Sequence, residues 1–291
     1  MNLLARQPGV RHSFVLLGPE GASFDLFPGQ KRKDSAAYND LISRMQRLRG
    51  RVYLKDGAIR ISDLTADGRH ISLLDESSWH LLTVGAEGHV LGCARFQAHP
   101  ASVSYENLSI KHAAIAKSLE WGPQFRDSVE TEIALARTQS FFWLEMGGWA
   151  LSEELRGTTE ALLYALFTYA WSQAIGGAIG VTTATERNGS ASILRRLGGE
   201  SLYSGGVAIP AYYDERYRCV MEVLRFDSRF PMAKYRSTVE ALRIQIANVP
   251  VIGAGLVSNP KVDGPCPKIP AQSAGYWTKP QSNFAVAAPS S

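Results

Sequence analysis

Cysteine is scarce in this chain: Cys93, Cys219 and Cys266 are the only three in 291 residues. Their number is odd, they lie far apart and no pair stands at metal-ligand spacing, so neither a disulfide framework nor a metal site is expected. A reducing compartment fits such usage. Long hydrophobic runs are also missing near the N-terminus. The longest there, Phe14 to Leu17, falls short of the roughly 20 residues of a membrane span and the about 7 to 15 of a signal core. The expectation is a cytoplasmic protein without a membrane span. Charge of one sign is in short supply too. Thirty-one Lys and Arg against 27 Asp and Glu leave a net charge of +4, too little to argue for nucleic acid.

What the chain does have is apolar material. It is 45% hydrophobic and 10% aromatic, enough to bury a large core and to exclude disorder over most of its length. The informative stretch runs from Phe141 to Gly199. Phe141 to Leu151 is aromatic-rich and strand-like, with Gly147 and Gly148 inside it, and glycine in a strand marks a bulge or a close backbone approach. Leu155-Arg156-Gly157-Thr158-Thr159 turns the chain into a helix reaching to about Gln173. Glu160, Tyr164, Thr168 and Ser172 make one narrow polar stripe on it and apolar residues cover the rest, which predicts burial over most of its circumference. Gly176-Gly177 ends the helix, and Ala178 to Thr183 reads as a second strand. A strand-helix-strand unit follows. The unpaired N–H groups at the helix start, with the positive end of the dipole, make an anion site beside Arg156.

These residues resemble the GNAT superfamily of acyltransferases. The turn Arg156-Gly157-Thr158-Thr159-Glu160-Ala161 is similar to the family's Arg/Gln-x-x-Gly-x-Gly/Ala pyrophosphate cradle, with Thr159 where a small residue is usual. Asn188, Ala191, Leu194 and Gly198 follow the second signature, with Arg195 in the place of its tyrosine. Two segments resemble acyl-homoserine-lactone synthases and long-chain N-acyl amino acid synthases. One is Asp75-Glu76-Ser77-Ser78-Trp79-His80-Leu81-Leu82, leading through Gly88 to Val90-Leu91-Gly92-Cys93-Ala94-Arg95-Phe96. The other is Leu144-Glu145-Met146-Gly147-Gly148-Trp149-Ala150-Leu151. Gly147-Gly148 stands where the lactone synthases carry Ser-Arg, so a lactone product is not implied.

The resemblance spans roughly residues 38 to 225. It implies an α/β GNAT-type fold: a mixed, mostly antiparallel central sheet with a splayed, bulged strand and flanking helices. It also implies an N-acyltransferase whose co-substrate is an acyl thioester on coenzyme A or acyl carrier protein, whose acceptor is an amine such as an amino acid, and which holds no tightly bound cofactor. The alternative is a non-catalytic GNAT-like module that binds an acyl thioester or a protein partner.

Site expectations follow. Glu145, set among Phe141, Phe142, Trp143, Met146 and Trp149, is the candidate general base, since apolar surroundings raise a carboxyl pKa; an ordinary ion pair is the other reading. Leu151, Arg156, Gly157, Thr158, Thr159 and Asn188 are candidates for the donor site. Thr158 and Thr159 either donate to phosphate or cap the helix. Arg95 and Trp149 are candidates for the acceptor site, Arg95 as a fork for a carboxylate or as a structural salt bridge. Arg187, Arg195 and Arg196 form a basic rim that would steer an acidic carrier protein or simply face solvent.

The flanks are read from periodicity. Residues 1–37 look like an N-terminal extension, and residues 38–249 form the acyltransferase-like domain. The Pro/Gly/Ser-rich stretch 250–291 reads as an extended tail. Within the domain, Tyr38 to Arg49 is an amphipathic helix, Ile71 to Leu74 and Trp79 to Val84 are strands, and a turn at 86–89 leads into Val90 to Phe96. Residues 111–140 are helical with a break at Gly122-Pro123. Ser201 to Ile209 and Arg218 to Phe226 pair as a closing hairpin, and Ala233 to Ala247 is the last helix.

Overall fold

The computed structural model describes residues 12–21 and 27–254. Its first half comprises β1 (His12–Gly18), β2 (Gln30–Lys33), α1 (Ser35–Lys55), β3 (Trp79–Gly85), β4 (Val90–His99) and α2 (Gly122–Thr138). The central block is β5 (Phe142–Leu151), α3 (Glu160–Ala174), β6 (Ala178–Thr185) and α4 (Ser190–Leu197). Then come β7 (Glu200–Ser201), β8 (Tyr203–Ser204), β9 (Val207–Ala208), β10 (Tyr212–Asp214), β11 (Cys219–Asp227), α5 (Arg236–Gln245) and β12 (Pro250–Gly253).

One sheet runs in the order β10-β11-β6-β5-β4-β3-β1-β12-β2, with β7 on β11. The pairs β5–β6, β1–β12 and β12–β2 are parallel and the others antiparallel. This is the fold class expected: α/β, mixed, mostly antiparallel, with helices on the sheet. Side chains alternate between the two faces of each strand, and the core divides accordingly. Phe14, Leu81, Phe96 and Leu144 pack under α3, α4 and α5 with Phe167, Trp171, Leu194 and Leu242. On the other face, Val15, Leu82 and Cys93 meet Met45 and Leu48 of α1, while Trp143, Val181 and Val223 meet Phe125, Val129 and Ile133 of α2.

Local chemistry sets the helix ends. Asp34 caps α1 by accepting from the Ala37 amide at 2.9 Å. Its other end closes at Gly57, whose φ of +68° puts it in the left-handed region. The amides of Gly57 and Ala58 bond back to Leu54 and Tyr53 at 3.1 and 2.8 Å. The helix start of α3 is held by Thr158, whose Oγ1 accepts from the Glu160 amide at 3.2 Å. Glu160 in that first turn complements the dipole and bonds His12 of β1 at 2.9 Å.

Several boundaries differ from expectation. Residues 12–18, read as part of an extension, run inside the sheet between β3 and β12, because Phe14 and Leu16 supply one core face and Val15 and Leu17 the other. The boundary at 250 likewise cuts off β12, whose Val251 is wholly buried; the tail beyond Ala254 lies outside the described residues, as does Cys266. Gly122-Pro123 begins α2 instead of breaking it, since a proline in the first turn forfeits no helical bond. Only 3-10 turns precede it. Ile71 to Leu74 is a loop, and 201–209 holds only the end of β7 and the two-residue strands β8 and β9, which the left-handed Gly205-Gly206 turn joins. No helix among the described residues is long and apolar enough to cross a membrane.

Candidate active site

β5 and β6 pair in parallel from Phe142–Ala178 to Met146–Thr182 and then separate. The register of β5 against β4 shifts at the same place, with Cys93 opposite Ala150 but Arg95 opposite Gly147. Two residues, Gly148 and Trp149, therefore face Ala94 alone. Such a bulge needs one residue off the extended conformation, and Gly148 takes it with φ +63°. The bulge bends β5 away from β6 and leaves the β6-facing backbone groups of residues 147–151 without a strand partner.

A cavity of about 410 Å³ fills the resulting gap. Its lining includes Ala94 and Phe96 as well as Arg95. Consecutive strand residues point to opposite faces, so the cavity passes through the sheet. On the α3 side it is lined by Met146, Gly180, Ala161 and Ala165, and by the stripe residues Tyr164, Thr168 and Ser172. Three of the four residues of the polar stripe thus face a tunnel, while Glu160 turns to His12. Thr168 and Ser172 are 7% and 2% exposed, and Thr168 Oγ1 donates to the Tyr164 carbonyl at 3.0 Å.

At one end of the cavity lie Arg156, Gly157, Asn188 and Asp56. Arg156 Nη2 donates to both carboxylate oxygens of Asp56 at 3.0 and 2.9 Å, and Asn188 Nδ2 reaches Oδ2 at 3.4 Å. Among the described residues the amides of Gly157, Thr159 and Ala161 have no acceptor, as a helix start leaves them.

The other face carries Tyr53, Arg95 and Tyr217, while Trp149 packs with the α3-side core. The half-buried Arg95 donates from Nη1 to Ser72 Oγ at 3.2 Å and has no carboxylate partner among the described residues. Burial lowers its pKa, and the charge of Arg49 adds to that. Arg49 itself forks onto Asp75 at 2.8 and 2.6 Å, both almost fully buried. Burial alone would raise the Asp75 carboxyl; the hydrogen bonds and charge of Arg49 bring it below its ordinary value. This pair fixes the 70–75 loop, and the loop holds Arg95. His70 beside it is pushed down to about 4 by burial and by Arg49.

Glu145 must be reassigned. It alternates with Leu144 and Met146 and so points to the α2 face with Trp143, away from the cavity lining. Its carboxylate accepts from the amides of Ser109 and Ile110 at 2.8 and 2.6 Å, from Ser109 Oγ at 2.9 Å and from His99 Nε2 at 3.2 Å. Burial would raise its pKa, but these bonds, His99 first, set it below the ordinary carboxyl value. The expected raised pKa is therefore corrected: donors from distant segments, His99, Ser109 and Ile110, outweigh the effect of burial.

The other expected residues divide. Arg95, Trp149, Leu151, Arg156, Gly157 and Asn188 come together on the cavity. Thr158 caps α3 and Thr159 makes no side-chain cap bond. Arg187 turns to α1, donating to the Asp56 carbonyl at 3.1 Å. Arg195 is neutralised by Glu222, with Nε to Oε2 at 2.9 Å, and Arg196 bonds the Ser192 carbonyl of its own helix at 3.3 Å. The basic rim is weaker than three free arginines would be. Tyr53, Asp56, Ser72 and Tyr217 gave no signal in the sequence, since each reaches the site from a distant segment. The polar stripe of α3 was legible, though not what it faces.

No family model matches the chain, and no curated protein matches it in sequence. Among solved structures it is similar to FeeM, an N-acyl amino acid synthase from uncultured soil microbes, with TM-score 0.45 and 13% identity over 75% of this chain and 92% of that one. It is similar to BjaI, a coenzyme A-dependent acyl-homoserine lactone synthase, with TM-score 0.47 and 15% identity over 84% and 95%. A GNAT-family acetyltransferase from Streptococcus pneumoniae overlaps at TM-score 0.37 and 11% identity, over 65% and 93%.

Proposed function

We propose that the chain is an N-acyltransferase that moves an acyl group from a phosphopantetheine thioester, on coenzyme A or acyl carrier protein, to the amine of a carboxylate-bearing acceptor such as an amino acid. The observation that carries this reading is the cavity through the sheet at the β5–β6 splay. It joins an anion corner at Arg156 and the α3 start to a guanidinium, Arg95, that has no carboxylate partner among the described residues. A donor phosphate fits the first and an acceptor carboxylate the second. Between them the thioester carbonyl lies against the unpaired backbone of residues 147–151, whose N–H groups stabilise the oxyanion as the amine nitrogen bonds to carbon. The C–S bond then breaks and the thiolate takes a proton. The acyl chain runs along α3 from Tyr164 to Ser172, eight residues or about 12 Å, room for roughly ten chain bonds at about 1.2 Å each.

Among the described residues, the lining offers no histidine and a single carboxylate, Asp56, which Arg156 occupies. The amine therefore enters as free base or gives its proton to water. That same feature favours the rival reading, a module that binds an acyl thioester without turnover. Acyl-coenzyme A and acyl-carrier-protein donors of graded length, incubated with mixed amino acids and followed by mass spectrometry, decide between them. An acylated amine supports the transferase; binding without consumption of any donor supports the module.

A further inference from the structure

The anion corner already holds an anion from the chain itself. Asp56, at the C-terminal end of α1, presents its carboxylate to Arg156, the side chain that the donor reading gives to phosphate, and to Asn188, a further donor-site candidate. The backbone around it is gripped as well. Arg187 Nη1 donates to the Asp56 carbonyl at 3.1 Å, and Arg218 Nη2 to the Gly57 carbonyl at 2.8 Å. Arg187 also bonds the Arg218 carbonyl, tying β11 to the α4 approach. A helix C-terminus carries the negative end of the dipole and unpaired carbonyls, so the α1 end imitates a phosphate in both charge and acceptor geometry.

We infer that the α1 terminus is an autoinhibitory latch: Asp56 occupies the phosphate position of the donor, and binding of a phosphorylated donor requires Arg156 to exchange this carboxylate for phosphate. The inference rests on the donor-site reading above. Arg156 and Asp56 side chains are 41% and 14% exposed, so the contact is accessible to a competing anion and weak enough to be displaced. A ligand that binds only the unlatched state loses affinity by the population of the latched one. An exposed pair of this kind corresponds to about a fivefold effect on an equilibrium.

Isothermal titration of coenzyme A and of inorganic pyrophosphate into the full chain tests it, with Asp56→Ala, Asp56→Asn and Arg156→Ala compared with the parent. The expected result is coenzyme A binding about fivefold tighter in Asp56→Ala, with Arg156→Ala weaker than the parent. Tightening in Asp56→Asn supports the latch equally and covers the case in which the alanine variant fails to fold. If both Asp56 variants bind no more tightly than the parent while Arg156→Ala weakens binding, the latch is overturned and the donor site stands; a lowered melting temperature at unchanged affinity overturns it likewise and makes Asp56 a helix anchor. If the parent binds neither ligand, or Arg156→Ala binds as the parent does, the donor-site reading falls and the latch with it.

Discussion

Replacing Glu145 by glutamine tests whether this carboxylate is an anchor of the fold or a group of the reaction. The side chain is 6% exposed and its two oxygens receive four donors, two of them the amides of Ser109 and Ile110. Those amides go to different oxygens, so either orientation of a glutamine sets its NH2 against one of them. One buried N–H then loses its acceptor, costing about 1–3 kcal/mol, and the remaining bonds lose their charge assistance, for a total of about 2–4 kcal/mol. In a domain of this size the melting temperature should fall by roughly 5–15 °C. The pH dependence has a definite sign. The folded carboxyl pKa lies below the ordinary 4.5, so its stabilisation is fully present above that value and is lost as pH falls through the lower folded one. Chemical denaturation of both proteins between pH 7 and pH 3 should show a gap that closes below about pH 4.5. A glutamine variant as stable as the parent at pH 7 would refute the hydrogen-bond accounting. One that keeps its stability but loses turnover would return Glu145 to the chemistry.

The other predictions are independent of that one. Arg95→Ala should raise KM for a carboxylate-bearing acceptor at least tenfold, the loss of a charge-assisted pair of about 1.5–3 kcal/mol, while leaving the donor KM unchanged; an equal rise for an amine lacking the carboxylate would sink the assignment. Thr168→Phe narrows the tunnel along α3, so products should shift to shorter acyl chains by mass spectrometry, at about 1–3 kcal/mol of stability for the overpacking. An unchanged chain-length profile places the acyl group elsewhere. Burial pushes His80 down from 6.5 to about 4, so the unfolded chain binds its proton first as pH falls. Stability is complete above pH 6.5 and drops toward pH 4, by up to about 3 kcal/mol from this residue. Urea midpoints that stay flat across that interval would show the imidazole to be hydrated instead.

Much of this protein was legible in order along the chain. The bulge at Gly147-Gly148, the helix from Glu160 with its polar stripe, the unpaired amides at its start beside Arg156 and the strand after Gly176-Gly177 all follow from local rules: glycine conformations, helix-end geometry and apolar periodicity. Those rules act over one to four residues, and so a sequence displays them. They also led to error where a local pattern had a distant cause. Glu145 looked apolar because Phe142, Trp143 and Met146 flank it, yet strand alternation turns it from Met146 to the α2 face, where Ser109 and Ile110 supply the donors. Residues 12–18 looked peripheral because nothing near them in sequence shows that the sheet has a vacant position between β3 and β12.

By itself the sequence determined the central helices and strands, their order and the groups available at the site: a bulged strand, unpaired helix-start amides and a basic side chain in a strand. The tertiary structure alone decided which groups meet. Whether Arg95 keeps an uncommitted fork depends on Arg49 taking Asp75, and whether Arg156 is free depends on Asp56 at the end of a helix a hundred residues earlier. Pairing among charges is settled by distance in space, where a shift of a few ångströms changes the partner, and no spacing along the chain encodes it.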